Sequence, residues 1–348
     1  MRRVVTTEIV CPARHKWLHD KRANEADNFT RYIYNLTGAS GGNLDVRHVA
    51  RHYCGNVIRR LVFGSRYFGE PQADGGPGPL EVEHMDATFT SLGLLFSFCI
   101  SDYLPRLLAL DLDGHEKMVK EADARVNRLH DTVIEERWRL WEGGKRLEEH
   151  DDFLDVLISL KDGDGNPLLM IDEIKVLCMD MTLAGTDNPS NAVEWALAEM
   201  VNSPELLAKA VEEIDRTIGR ERLVKESDLP QLNYIKACIR EAFRLHPIAP
   251  FNVPHVAIAD SVVVWDEPLH FKPERHMGDG IDVVLTESEL RFISFSTGRR
   301  GCMASSLWTA MCLMLFTRIL QGFTLTKPAG VIDDPSSFFF LNKDDPSS

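Results

Sequence analysis

The segment Phe295-Ser-Thr-Gly-Arg-Arg-Gly-Cys302-Met-Ala304 concentrates the chemistry of this chain. A cysteine closes a loop that contains Gly298 and Gly301 and stands directly before an apolar, helical stretch. Glycines permit the tight turns that bring backbone close to a planar group. Arg299 and Arg300, with the positive end of the following helix, favour a thiolate over a thiol, and Phe295 is placed to shield the sulfur from water. These are the requirements of an axial thiolate on haem iron, whose anionic sulfur pushes electron density toward O–O cleavage. The other six cysteines, Cys11, Cys54, Cys99, Cys178, Cys238 and Cys312, stand singly with no CxxC pair. They read as buried, reduced thiols and not as a disulfide framework.

The elements that must position Cys302 are mostly helices. Hydrophobic spacing and caps predict them over 44–63, 81–100, 114–141, 152–160, 171–201, 204–218, 229–245 and 303–323. In the 114–141 helix Val119, Val126, Leu129, Val133 and Ile134 form the expected buried stripe. The 171–201 helix is apolar nearly all round, hence central, and carries Ala184-Gly-Thr-Asp-Asn-Pro-Ser190 at its middle, where Pro189 predicts a kink. On the 229–245 helix Glu241 and Arg244 are one turn apart and can pair. Strand signals are confined to 253–259 and 262–265.

Three strings then occur in a telling order. Phe295 to Cys302 matches F-x-x-G-x-R-x-C, Glu241-Ala-Phe-Arg244 is an E-x-x-R, and Phe271-Lys-Pro-Glu-Arg275-His is a P-E-R-F-like segment. Together they resemble the cytochromes P-450. Cys11-Pro-Ala-Arg-His, Asn188-Pro-Ser-Asn-Ala-Val-Glu-Trp195 and Phe251-Asn-Val-Pro-His255 narrow the resemblance to the plant amino-acid N-monooxygenases, nearest the grass tyrosine type. It runs from residue 1 to about Lys327. The resemblance implies a mainly α cytochrome P-450 fold, a helical haem-thiolate domain with small β-sheets, and haem b with Cys302 as its iron ligand. Phe295, Gly298, Arg300, His255 and Arg2 would contact the haem, while Glu241, Arg244 and Arg275 would form a structural lock behind the cysteine loop. In place of the superfamily's acid–Thr pair this chain has Asp187 and Asn188, which would organise water and protons near dioxygen; the kink at Pro189 and Gly185 would give dioxygen room. Ala184, Gly185, Phe251 and Asn252 would touch substrate. The implied reaction is two N-hydroxylations of an L-amino acid, expected to be tyrosine, giving an aldoxime. O2 is the co-substrate, and electrons come from NADPH through NADPH-cytochrome P-450 reductase at the cytosolic face of the endoplasmic reticulum membrane.

The chain has 348 residues, with 39 basic against 53 acidic side chains and a net charge of −14. That balance excludes a nucleic-acid binder, which needs a basic footprint. The first 22 residues run the other way, with Arg2, Arg3, Arg14, Lys16, Lys21 and Arg22 against Glu8 and Asp20; with Arg299 they form a candidate docking face for an acidic reductase. No stretch reads as a membrane anchor, so this chain alone is expected in the cytosol. Against the family's pattern the reading is one incomplete domain over 1–348. The amino-terminal third is missing, a strand, a turn and a helix are missing between Asp260 and Trp265, and 328–348 form a divergent polar tail. The alternatives are a non-catalytic truncated fragment, as from a pseudogene, and a carbon-hydroxylating plant relative.

Overall fold

A computed structural model of the chain describes residues 1–39, 44–70, 72–95, 97–144, 150–248, 265–278, 282–285, 294–296, 298–326 and 340–342. In chain order its helices are α1 (Arg2–Val4), α2 (Pro12–Trp17), α3 (His19–Ala39), α4 (Val46–Phe63), α5 (Pro79–Leu94), α6 (Ile100–Tyr103), α7 (His115–Glu142), α8 (Phe153–Ser159), α9 (Ile171–Asn202), α10 (Pro204–Thr217), α11 (Asn233–Leu245) and α12 (Ser305–Gly322). The chain is mainly helical, as expected. β1 (Thr324–Thr326) pairs antiparallel with β2 (Phe340–Asn342), Leu325 opposite Leu341. The strand expected at 253–259 lies outside the described residues, as does that expected at 262–265 except for Trp265, which is a bend; β2 falls inside the stretch read as a polar tail. Among the described residues no helix is long and apolar enough to cross a membrane.

The chain forms two compact units, Met1–Tyr53 with Asn188–Ser348, and Cys54–Asp187. In the first, α12 is the hub. From Trp308 and Ala310 to Leu320 its residues are buried, and it packs against α3, α10 and α11. Its one buried cation, Arg318, reaches Asp27 of α3 at 2.7 Å. α11 buries Ile235, Ala237, Cys238, Ile239, Ala242 and Phe243. Its first free amides, those of Tyr234 and Ile235, donate to the Glu213 carboxylate of α10 at 2.8 and 2.9 Å. A carboxylate at that position satisfies donors that a helix start leaves orphaned and complements its dipole.

In the second unit α5 lies along α7. The buried residues of α7 are Ala122, Val126, His130 and Ile134, so the stripe steps by four and includes a histidine. Val119, Leu129 and Val133, expected in that stripe, are half-buried flanks. Ala122 and Val126 pack against Ala87 of α5. The helix expected over 81–100 ends at Leu94, and a separate short α6 follows. Close helix approach sets two glycines here. A Cβ on Gly55 would stand 2.2 Å from Cε of Met85, and one on Gly185 would stand 2.4 Å from Cδ1 of Ile58.

Candidate active site

Glu241 is fully buried on α11, a position no carboxylate tolerates without partners. Its partners come from its own helix and from the turn Pro273–His276 packed beside it. Arg244 donates Nε and Nη2 at 2.8 and 2.9 Å, Arg275 donates Nε at 2.8 Å, and the Lys272 amide donates at 3.0 Å. The remaining donors of both arginines are taken by backbone carbonyls. Arg244 bonds Pro268 O, and Arg275 bonds Asp266 O and Glu267 O. Each guanidinium therefore ties the segment before the turn to α11, and Trp265 stands over both, 5.6 and 5.8 Å from their central carbons.

A further member was missed by sequence reading. His276, also buried, stands 2.7 Å from Glu241 through Nε2. The only signal was its position, where the family's segment carries an aromatic ring. Burial pushes the Glu241 carboxyl upward, but the hydrogen bonds from His276, Arg244 and the Lys272 amide outweigh it and bring it down to about 2. Burial likewise lowers the imidazole of His276 from 6.5, against the opposing pull of Glu241, so a neutral ring donates to an ionised carboxylate.

The cysteine loop is shaped by backbone hydrogen bonds. The Cys302 amide donates to Phe295 O at 2.7 Å and the Gly301 amide to Gly298 O at 3.1 Å. Gly298 sits at φ +63° with no atom within 4 Å of the place a Cβ would take, so glycine there serves both a left-handed turn and an open face. Arg2 donates to Gly301 O, which brings α1 to the loop. The Phe295 ring packs against two helices. It is wedged edge-on between Phe243 of α11 and Trp308 of α12, centroids 5.8 and 4.9 Å away, and so anchors the loop to both helices. Cys302 alone of the seven cysteines is exposed; Cys11 and Cys99, expected to be buried, are half-buried. Surrounding protein pushes the Cys302 thiol up, and the Ala304 amide and Arg2 pull it only part of the way back. Arg299 and Arg300 are both exposed in the turn before it.

On α9, Ala184 is exposed and Gly185, Asp187 and Asn188 are half-buried. Thr182 and Thr186 bond back to the carbonyls of Cys178 and Thr182 at 3.0 and 2.7 Å, and Pro189 lies inside the helix; both features bend a helix. A Cβ on Gly185 would run into Ile58, so that glycine also serves the close approach of α4. The Asp187 charge helps burial raise the Cys54 thiol. Phe251, Asn252 and His255 lie outside the described residues. Of the amino-terminal cations, Arg22 is buried and held by Glu226 through two bonds of 2.9 and 2.7 Å, and His15 adds a third contact at 2.9 Å. Arg22 is therefore a structural charge, unlike exposed Arg3 and Lys16.

These residues fit a haem on the cysteine side. A thiol is displayed at the surface, the loop is braced from behind by aromatic rings, and the glycine face is open. The comparison with known proteins agrees. The cytochrome P450 family model matches residues 1–264 and 263–346. The chain belongs to the cytochrome P450 family. The tyrosine N-monooxygenase of Sorghum bicolor is 67% identical over 358 residues, covering 95% of this chain and 64% of that protein. Tryptophan N-monooxygenase 1 of Arabidopsis thaliana and valine N-monooxygenase 1 of Manihot esculenta are each 54% identical over 94% and 95% of this chain, covering 65% of their own lengths. The chain thus spans less than two thirds of these cytochromes P450. The alignment with the sorghum protein is longer than the chain's own 348 residues, and the family match divides at 263–264, inside the stretch where a strand, a turn and a helix of the family pattern are expected to be missing. Its second part reaches residue 346, past Lys327, where the resemblance was expected to end.

Proposed function

We propose that this chain carries the haem-thiolate centre of an enzyme that N-hydroxylates an L-amino acid, tyrosine, twice and releases the aldoxime after loss of carbon dioxide and water. The observation that carries the reading is the exposed Cys302, braced by Phe295 and by α12, in a chain 67% identical to a tyrosine N-monooxygenase. Haem bound through Cys302 would supply the oxidising chemistry for the amino nitrogen, given dioxygen and electrons. The chain's own residues do the rest. Cys302 provides the sulfur ligand, and Gly298 lets the loop approach the macrocycle. Arg2, Arg300 and His255 are the donors for its carboxylates. Asp187 and Asn188 hold water and pass protons from α9, and Ala184, Gly185, Phe251 and Asn252 line the amino acid. NADPH-cytochrome P-450 reductase delivers the electrons at the endoplasmic reticulum membrane.

Two measurements test this. The reduced, carbon monoxide-treated protein is expected to show the thiolate-type Soret band, and Cys302→Ser to abolish it. With reductase, NADPH and labelled tyrosine, the expected product is the aldoxime; a carbon-hydroxylated product would transfer the reading to carbon chemistry. The division of the family match at 263–264 favours a second reading, a helical chain that folds without retaining haem. A folded protein lacking the band would establish it.

A further inference from the structure

The connection between α5 and α7 has no core of its own. Among its described residues from 95 to 114 none is buried, and Leu95, Phe98, Tyr103, Leu104, Leu108, Leu110 and Leu112 are each more than half exposed. Yet its two ends are drawn together around one point. The Asp113 carboxylate accepts from the Ile100 amide at 2.8 Å and from the His115 amide at 3.4 Å. Left-handed residues at Asp111 (φ 40°) and Gly114 (φ 71°) turn the chain there. The free amides at the start of α7 are already occupied, since Glu116 and Lys117 donate to the Asp111 carboxylate at 3.0 Å each. The positive end of that helix is thereby screened.

At this point a sulfur, an imidazole nitrogen and a carboxylate oxygen converge. The ligand atoms of Cys99, Asp113 and His115 all lie within 4.8 Å of one another, and His115 Nδ1 is 3.8 Å from Asp113 Oδ2. Tetrahedral zinc with these donors has ligand–ligand edges of about 3.5 Å, from metal–ligand lengths of about 2.0–2.3 Å. Small side-chain rotations close the difference. The side chains of Asp113 and His115 are 16% and 25% exposed, shielded on one side and open to water on the other. Ser101 Oγ, 2.9 Å from Cys99 Sγ, is a neighbour that can orient the sulfur.

We propose that Cys99, Asp113 and His115 form a zinc site, with water as the fourth ligand, that staples the two ends of the α5–α7 connection. The donor set selects the metal. Calcium and magnesium take oxygen ligands, whereas a thiolate, an imidazole and a carboxylate together suit zinc. Metal binding displaces the Cys99 proton to solvent and supplies free energy to a segment that burial does not stabilise. The site is separate in sequence and in chemistry from the Cys302 loop.

The test uses the full purified chain, stripped with chelator and titrated with Co2+ and then Zn2+. One equivalent of cobalt is expected to give thiolate-to-metal charge-transfer absorption with tetrahedral bands, bleached by one equivalent of zinc. Cys99→Ser and, separately, His115→Ala are expected to abolish the charge-transfer absorption or weaken zinc binding about tenfold or more, while Cys302→Ser leaves both intact. Zinc is further expected to slow protease cleavage between residues 100 and 112 in the parent chain and not in Cys99→Ser. Absence of the charge-transfer absorption in the parent chain, or its survival in Cys99→Ser, overturns the proposal.

Discussion

Glu241 converts a buried charge into an anchor because four groups donate to it and the two arginines among them are in turn tied to backbone carbonyls. Glu241→Ala leaves Arg244, Arg275 and His276 facing a void, and its expected cost is about 3–5 kcal/mol, read from urea unfolding. Glu241→Gln keeps the shape and loses the charge, so its cost should be smaller. With its folded pKa at about 2 and an ordinary value of 4.5, Glu241 contributes stability that is full above pH 4.5 and lost as pH falls toward 2. Gly185 offers a second test at this scale. Gly185→Ala sets a Cβ against Ile58 and is expected to destabilise by about 1–3 kcal/mol through overpacking. In an Ile58→Ala background the same substitution should be neutral or stabilising, since alanine exceeds glycine in helices by about 1 kcal/mol. Equal effects in the two backgrounds would show that the contact carries no energy.

At the scale of elements, the α5–α7 pair has a charge-sensitive seam. His84 and His130 are buried with Nε2 atoms 2.9 Å apart, beside Phe63 and Phe68. One imidazole donates and the other accepts, and neither Nδ1 has a hydrogen-bond partner. Burial, and then the nearby Arg59, lowers His130 from 6.5 to about 3 and lowers His84 well below 6.5. An imidazole with a depressed folded pKa takes its proton more readily when unfolded. Its stabilisation is therefore complete above pH 6.5 and falls away as pH drops toward 3. Acid should thus weaken this seam before it reaches Glu241. The double variant His84→Leu/His130→Leu is expected to flatten the urea midpoint between pH 6.5 and 3; an unchanged slope would show that the seam does not govern the acid limb.

For the whole molecule, the contrast between a net acidic chain and a basic amino-terminal stretch would bear on the proposed delivery of electrons. Arg22 is spent on Glu226, so exposed Arg3, Lys16 and Arg299 remain as docking charges. If they meet an acidic reductase, raising ionic strength from about 0.1 to 1 M shortens the screening length from about 10 to 3 Å. Reductase-supported haem reduction should then slow about tenfold. Arg3→Glu combined with Lys16→Glu should lower the low-salt rate and remove most of the salt dependence. A rate indifferent to salt would dismiss the docking face.

The amino-acid sequence by itself determined what depends on neighbours along the chain. Most helix spans after residue 44, the Glu241–Arg244 pairing one turn apart, the glycines of the cysteine loop and the kink-prone Pro189 follow from local spacing and backbone chemistry, whereas α3 (His19–Ala39) is not among the expected helices. The family followed from the order of three strings. Only the tertiary structure decided which distant groups share a site. His276 joins Glu241 across 35 positions, Arg22 joins Glu226 across 204, and Ile58 fills the space beside Gly185. The same holds for the α7 stripe, where a histidine replaces an expected apolar residue because its partner sits on α5. Periodicity records which face of a helix is buried; what meets that face is set by packing between segments far apart in the chain, and so is the protonation state of whatever is enclosed there.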